Sequence, residues 1–426
     1  MKKPKQGGWF RQRAYPHLDF PVSFNTAEKL ATNPASVAKH AFLPLIGYSD
    51  VRRTFRTDNS NRSIPRRQRP KRVGSKSRDI KYASHSDAAI FSYYAFLLQT
   101  RYEEWLSENE LGESVIGYRA GLGSNIDLAA AVFAEVAARS PVTCLCFDIS
   151  DFFPSIPHRA LKAGLKMVLD VLELPDDWYN VFRNVTKHSW VDLKEISVPL
   201  GFNPTDAPSP LVSDIGSAMA TLRGAKLVHI NANRAGIPQG TPISAVFANV
   251  AMAQFDIDVL TWAKAHGIVY RRYSDDILLL VPSGAETAAN AFLPNLAASM
   301  GLTINSAKTE VSRFSGSNPI TVDRPLTYLG FTFDGERVSL RARTLSRYYR
   351  RMTYAVRGTI RGAGRKGQPS SKAFRRTLYR DVTHLGRGSF YAYAARAHGK
   401  FQKSIVKRQL RRHFKILLRK LSNRGR

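Results

Sequence analysis

The stretch "GIVYRRYSDDILLLV", residues 267–281, leaves few folds open. Two β-rich runs separated by so few residues close as a hairpin. The hairpin places Asp275 and Asp276 at its tip. The aliphatic run after the tip reads as a buried strand that holds the tip still. A second apolar strand, "PVTCLCFDI", ends on Asp148. If the two strands are neighbours in one sheet, three carboxylates converge at strand ends. Their repulsion then demands protonation or a cation. Carboxylates on rigid strand ends are hard oxygen ligands suited to Mg²⁺. Two such ions about 3.5–4 Å apart can stabilise both the attacking and the leaving oxygen of an in-line phosphoryl displacement.

Charge is distributed in blocks. The 426 residues carry a formal charge of +31. Residues 51–82 hold 12 Lys and Arg against 2 acids, and residues 341–426 hold 26 against 1. The intervening 83–340 hold 19 bases against 27 acids. Basic flanks of this size fit a polyanion bound through phosphate neutralisation. Cys144 and Cys146, the only cysteines, sit two apart in the apolar run and read as core side chains rather than a disulfide. No apolar run reaches membrane-spanning length, and no apolar segment follows the lysines of "MKKPKQGGWF". The expectation is a cytoplasmic protein with no membrane partner.

Local signals give the element plan. A helix starting near Ser86 carries Ile90, Tyr94, Leu97 and Leu98 at helical spacing. Ser124 and Asp127 form a capping box for the next helix. Thr241 and Pro242 read as an N-cap and first-turn proline, with Ile243, Phe247, Val250 and Gln254 on the buried side. A C-terminal helix is expected with Val406, Leu410, Phe414, Leu417 and Leu421 on one stripe and Lys407, Arg411, Lys415 and Arg419 elsewhere.

"FDISDFFPSI", "GIPQGTPISAVFAN" and "YSDD" occur in that order. Together they resemble the palm motifs of reverse transcriptases. "GLTINSAKTE" resembles the fourth palm motif, with Lys308 in its lysine position, and "YLGFTF" resembles the primer-grip hairpin, placing Tyr328, Leu329 and Gly330 there. Upstream, Lys71, Gly74 and Arg78 resemble the fingers pattern, and "GYRAGLGS" the block after it. "KYASHSDAAIFSYYA" and "GRGSFYAYAARAHGKF" are similar to bacterial defence-associated (unknown-group) reverse transcriptases, relatives of the group II intron and retron enzymes. Ser244-Ala245 replaces the Ser-Pro of many intron-type relatives, and the retron-type "VTG" is absent.

The resemblance implies an α+β right-hand polymerase with fingers, an antiparallel palm sheet and a helical thumb. Residues 1–50 would be an N-terminal extension, 51–140 fingers and 141–335 palm, with 171–235 returning to the fingers or connecting. Residues 336–426 would be a basic helical thumb and RNA-binding extension. It further implies RNA-directed DNA synthesis from dNTPs, with a structured noncoding RNA as template and DNA as product, in phage defence. Asp148, Asp275 and Asp276 would hold two Mg²⁺ ions, with Mn²⁺ as a substitute. Lys308 would protonate the leaving pyrophosphate. Lys71, Arg78, Arg119 and Gln239 would contact nucleotide. Phe153, five residues after Asp148, would exclude a 2′-OH; RNA-copying RNA polymerases usually carry an aspartate there, whereas here Asp151 stands at the third place. Arg271 and Arg272 read either as phosphate contacts or as counter-charges on a strand.

Two alternatives share the fold. One is a template-independent or protein-primed DNA polymerase, with Tyr348, Tyr349, Tyr354, Tyr379, Tyr391 and Tyr393 as candidate hydroxyls. The other is a group II intron or retroelement-type reverse transcriptase. A third reading, an RNA-binding protein with a retired site, conflicts with the intact aspartates.

Overall fold

A five-stranded antiparallel sheet carries the aspartates. The computed structural model describes residues 8–57, 63–65, 68–69, 71–368 and 375–422, with backbone alone for 52–57 and 71–73. The sheet order is Thr321–Val322, Glu310–Ser315, Val142–Asp148, Asp276–Val281, Val269–Tyr273. The expected hairpin is present, and its second strand lies against the strand ending in Asp148. Successive side chains of a strand face opposite sides. Leu145, Phe147, Ile277, Leu279 and Val281 enter one core, with the helices His85–Glu108, Ser244–Ala251 and Ala253–Ala265. Cys144, Leu278 and Leu280 enter a second core, beneath the helix Asn125–Ala138 and the C-terminal helices. Two covered faces explain the absence of alternation in "ILLLV". Both cysteines are free, and Cys144 is buried.

A four-stranded sheet gathers Asp79–Tyr82, Leu45–Ser49, Ser189–Asp192 and His229–Ile230 in that order. Leu45–Ser49 runs antiparallel to Asp79–Tyr82 and parallel to Ser189–Asp192. The irregular stretch 171–235 thus returns two strands to the sheet begun in the N-terminal part. Arg52–Thr57 and Lys71–Lys76 form a separate antiparallel pair. Leu326–Tyr328, Phe331–Phe333 and Val338–Leu340 form a three-stranded meander, followed by the helix Ala342–Arg365. Among the described residues no helix is long and apolar enough to cross a membrane.

Several local expectations shift. The first long helix starts at His85, capped by Ser84 rather than Ser86. The Asp19 carboxylate accepts the His85 and Ser86 amide protons at 2.9 Å each, so a residue far back in the chain also caps the helix. The Ser124–Asp127 capping box is present. The helix after Pro242 begins at Ser244 and ends at Ala251, and Gln254 is exposed in the next helix. The C-terminal stripe is broken into Val406–Leu410 and His413–Ser422. The break turns His413 inward against Tyr391, ring centroids 4.4 Å apart, and leaves Phe414 43% exposed.

Candidate active site

Asp148 and Asp276 are Cα partners across adjacent strands. Asp275 lies in the turn beside them, where its carbonyl accepts the Ile149 amide proton at 3.1 Å. The turn is tight because Ser274 adopts φ 62°, a left-handed conformation that most residues avoid. Asp276 is solvent-accessible yet lies in a concave floor surrounded by protein atoms. That surrounding, and then the Asp275 and Asp148 carboxylates, push its pKa up to about 6 against the opposing pull of Arg341 and Lys308. Asp276 thus faces two other carboxylates, with Arg341 and Lys308 as the opposing charges.

Lys308 supplies the nearest counter-charge. Its Nζ donates to Asp148 Oδ2 at 2.5 Å. The turn that carries it is fixed to the Asp148 strand, with Asn305 N donating to Asp148 O at 2.8 Å. Among the described residues no three His, Cys, Asp or Glu groups stand at metal-binding spacing. The donor chemistry nonetheless fits a hard divalent cation: carboxylate oxygens gathered at strand ends and the turn between them. Asp148, Asp275 and Asp276 could hold it once the Lys308 ammonium leaves Asp148.

Two cavities meet at these carboxylates. One, of about 650 Å³, is lined by Arg78, Lys81, Asp148, Phe153, Gln239, Asp275 and Lys308 among others. Gln239 is fixed to the four-stranded sheet, because Lys81 N donates to its carbonyl at 2.9 Å. The following Gly240 has φ +130°, and a Cβ there would lie 2.7 Å from Lys81 O, so this close approach requires glycine. The other cavity, of about 820 Å³, is lined by Asp148, Asp276, Lys308, Tyr328, Leu329, Gly330 and a basic wall of Arg341, Arg343, Arg347 and Arg350. Leu329 and Gly330 both have positive φ, as a two-residue hairpin turn of this kind requires. Lys76, Asp148 and Lys308 line both cavities.

Sequence reasoning missed Lys76, Lys81 and the arginine wall. The wall had a signal: Arg343, Arg347 and Arg350 recur at helical spacing, directly after the primer-grip-like hairpin.

The structure corrects other assignments. Arg119 does not face the nucleotide-side cavity. Its guanidinium, 7% exposed, is bound to Glu103 and donates to the carbonyls of Gly112 and Val115. Arg271 pairs with Glu135 at 3.0 Å, and Arg272 is fully buried against Asp256 at 2.5 Å, so both are counter-charges within the fold. Lys71 opens the strand Lys71–Lys76, but its side chain lies outside the described residues.

Comparison with known proteins agrees with the motif series. Residues 97–333 match the family described as reverse transcriptase (RNA-dependent DNA polymerase). Over 77 residues the chain is 38% identical to the Retron Ec86 reverse transcriptase of Escherichia coli, a match spanning 18% of this chain and 24% of that protein. Apo telomerase from Candida tropicalis superposes with a TM-score of 0.41 at 9% identity, covering 62% of this chain and 45% of that one. Telomerase from Candida albicans, in complex with a TWJ fragment of telomeric RNA, superposes with a TM-score of 0.40 at 11% identity, covering 93% and 58%. With more than half its length matched to the family and its three aspartates brought together at neighbouring strand ends, the chain belongs to the reverse transcriptases.

Proposed function

We propose that the chain is an RNA-directed DNA polymerase that extends a primer with dNTPs on an RNA template. The observation that carries this reading is the meeting of Asp148, Asp275 and Asp276 between two basic-walled cavities. Asp148 and Asp275 would hold two Mg²⁺ ions, which Mn²⁺ could replace, with Asp276 as a more peripheral ligand or brace. Bound there, the ions supply charge stabilisation to the attacking and leaving oxygens.

The protein side chains do the rest. Arg78, Lys76 and Lys81 neutralise the triphosphate, together with Lys71 at the start of its strand. The Gln239–Gly240 backbone lets the nucleotide lie close to the loop. Phe153 occupies the space a 2′-OH needs. Lys308, released from Asp148, holds a proton on Nζ for the departing pyrophosphate. The Tyr328–Leu329–Gly330 turn and the arginine wall seat the primer strand. The basic helices from residue 342 onward hold RNA, and the resemblance of "KYASHSDAAIFSYYA" and "GRGSFYAYAARAHGKF" to defence-associated reverse transcriptases supports a structured noncoding RNA template in cytoplasmic phage defence.

Primer extension with labelled dNTPs tests this. RNA template should be required, and product should survive protease without a change in mobility. Incorporation without template would favour the terminal-transferase reading. A peptide-linked product would favour priming by a tyrosine, for which Tyr354, 61% exposed, is the accessible candidate. Sequencing nucleic acid that co-purifies with the protein identifies the template.

A further inference from the structure

Arg272 is the largest fully buried side chain in the described fold. It lies two residues before Ser274, and its contacts converge on the aspartate turn. Nε donates to Asp256 Oδ1 at 2.7 Å and Nη2 to Asp256 Oδ2 at 2.5 Å, a two-pronged pair. Nη1 donates to Asn249 Oδ1 at 3.1 Å and to Ser274 O at 3.3 Å. The Asn249 amide then donates through Nδ2 to Gly117 O at 2.8 Å. Gly117 lies so close to the turn that a Cβ on it would come within 2.6 Å of Ser274 N. Tyr270 Oη completes the shell, donating to Asp256 Oδ1 at 2.6 Å.

We propose that Asn249, Asp256 and Arg272 form a positioning cluster that fixes the Ser274–Asp275 turn, and with it Asp275, for cation binding. The proposal rests on the polymerase reading of the site. The ladder between Val269–Tyr273 and Asp276–Val281 aligns the two strands, but the turn between them has a left-handed serine whose Oγ has no partner. Such a turn persists only where its surroundings over-determine it. Here Arg272 holds the Ser274 carbonyl, Gly117 abuts the Ser274 amide, and Ile149 N holds the Asp275 carbonyl.

Fold stability alone is a poor account of such a cluster. A buried ion pair adds little net stability over apolar residues of similar volume. Asn249 also ties the turn to the nucleotide side. It lies on the helix Ser244–Ala251, whose first residue donates through Oγ to Pro238 O at 2.5 Å, next to Gln239. One helix therefore holds the loop facing the nucleotide-side cavity directly and the turn bearing Asp275 through Arg272.

Two variants of the full chain test this. Asn249→Ala keeps the ion pair and the Arg272–Ser274 bond but removes the amide bridge that joins Arg272 to Gly117 O. Asp256→Leu with Arg272→Met replaces the pair by apolar bulk. Thermal melting reports folding, Mn²⁺ titration followed by electron paramagnetic resonance reports cation affinity without substrate, and single-nucleotide extension separates kcat from KM. The expected result for both is a folded protein, Mn²⁺ binding weakened several-fold, and kcat lowered by about 10- to 100-fold, the cost of a displaced reacting group. KM for the dNTP should stay within about two-fold, because an interaction needed only for the reacting geometry acts on kcat. Folded Asn249→Ala with wild-type Mn²⁺ affinity and kcat overturns the proposal. So does a double variant that regains the wild-type melting temperature, Mn²⁺ affinity and kcat together. Should wild-type protein incorporate no dNTP on any template, the polymerase reading falls, while the Mn²⁺ comparison still decides the positioning claim.

Discussion

Lys308 Nζ lies 2.5 Å from Asp148 Oδ2, so a lysine offered for proton transfer stands on a carboxylate offered for cation binding. The two roles compete in the free protein. Removing the ammonium should therefore move two measurements in opposite directions. Lys308→Met should bind Mn²⁺ more tightly in the absence of nucleotide, yet extend primers about 10²-fold more slowly for want of a proton donor. Titration of the unliganded protein and single-turnover extension check the pair. Loss of both affinity and rate would mean that Lys308 organises the carboxylates instead of competing for them.

Phe153 lines the nucleotide-side cavity beside Asp148 and Gln239. Shortening it to Val should open room for a 2′-OH. The preference for a dNTP over the matching rNTP, measured as the ratio of kcat/KM values, should fall by about 10- to 100-fold. Incorporation of dNTPs should change only a few-fold. An unchanged ratio would assign Phe153 to core packing, where it touches Phe152 with ring centroids 5.8 Å apart.

Gly117 has no room for a methyl group: a Cβ would lie 2.6 Å from Ser274 N and 2.9 Å from Tyr273 C, both backbone atoms. Gly117→Ala should cost about 2 kcal/mol or more, the range of overpacking a fixed site. A urea denaturation series measures it. Gly112, with nothing within 4 Å of its Cβ position, is the control whose alanine variant should leave stability little changed.

Two histidines make the fold acid-sensitive. Burial lowers the His17 pKa to about 4, against the pull of Asp19, with His85 adding to the lowering. Burial likewise lowers His188 to about 4. Both are neutral in the fold, whereas the unfolded chain protonates them near the ordinary value of about 6.5. Between those limits the unfolded state binds more protons, so stability is fully present above about pH 6.5 and declines as pH falls toward 4. His17→Asn, whose amide oxygen can accept the Leu18 N–H now taken by Nδ1, should reduce proton uptake on unfolding by about one. Denaturation midpoints across this pH range measure the slope. An unchanged slope in the variant would place the acid sensitivity elsewhere.

The strands bearing Asp148, Asp275 and Asp276 were legible because apolar runs, a short hairpin and terminal carboxylates are local signals. The Ser124–Asp127 cap was legible for the same reason. What escaped depends on partners distant in the chain. Arg272 is an unremarkable strand arginine until Asp256 of the preceding helix Ala253–Ala265 meets it, and no spacing rule connects the two. Arg119 has the chemistry of a nucleotide contact and is consumed by Glu103. Ser86 has the chemistry of a cap, yet Ser84 and the remote Asp19 do the capping. The C-terminal stripe failed at Phe414 because the helix breaks between Leu410 and His413, where periodicity alone continues it.

In the proposed reaction Asp275, set in the turn beside Asp148 and Asp276, is the carboxylate on which RNA-templated DNA synthesis depends most. The most direct measurement is incorporation of labelled dNTPs on a primed RNA template with Mg²⁺, comparing wild type with a folded Asp275→Asn variant. Wild type should extend the primer only with template, and the variant should lose about 10³-fold or more, as expected when a charge that anchors transition-state stabilisation is removed. Equal incorporation by the two proteins would contradict it.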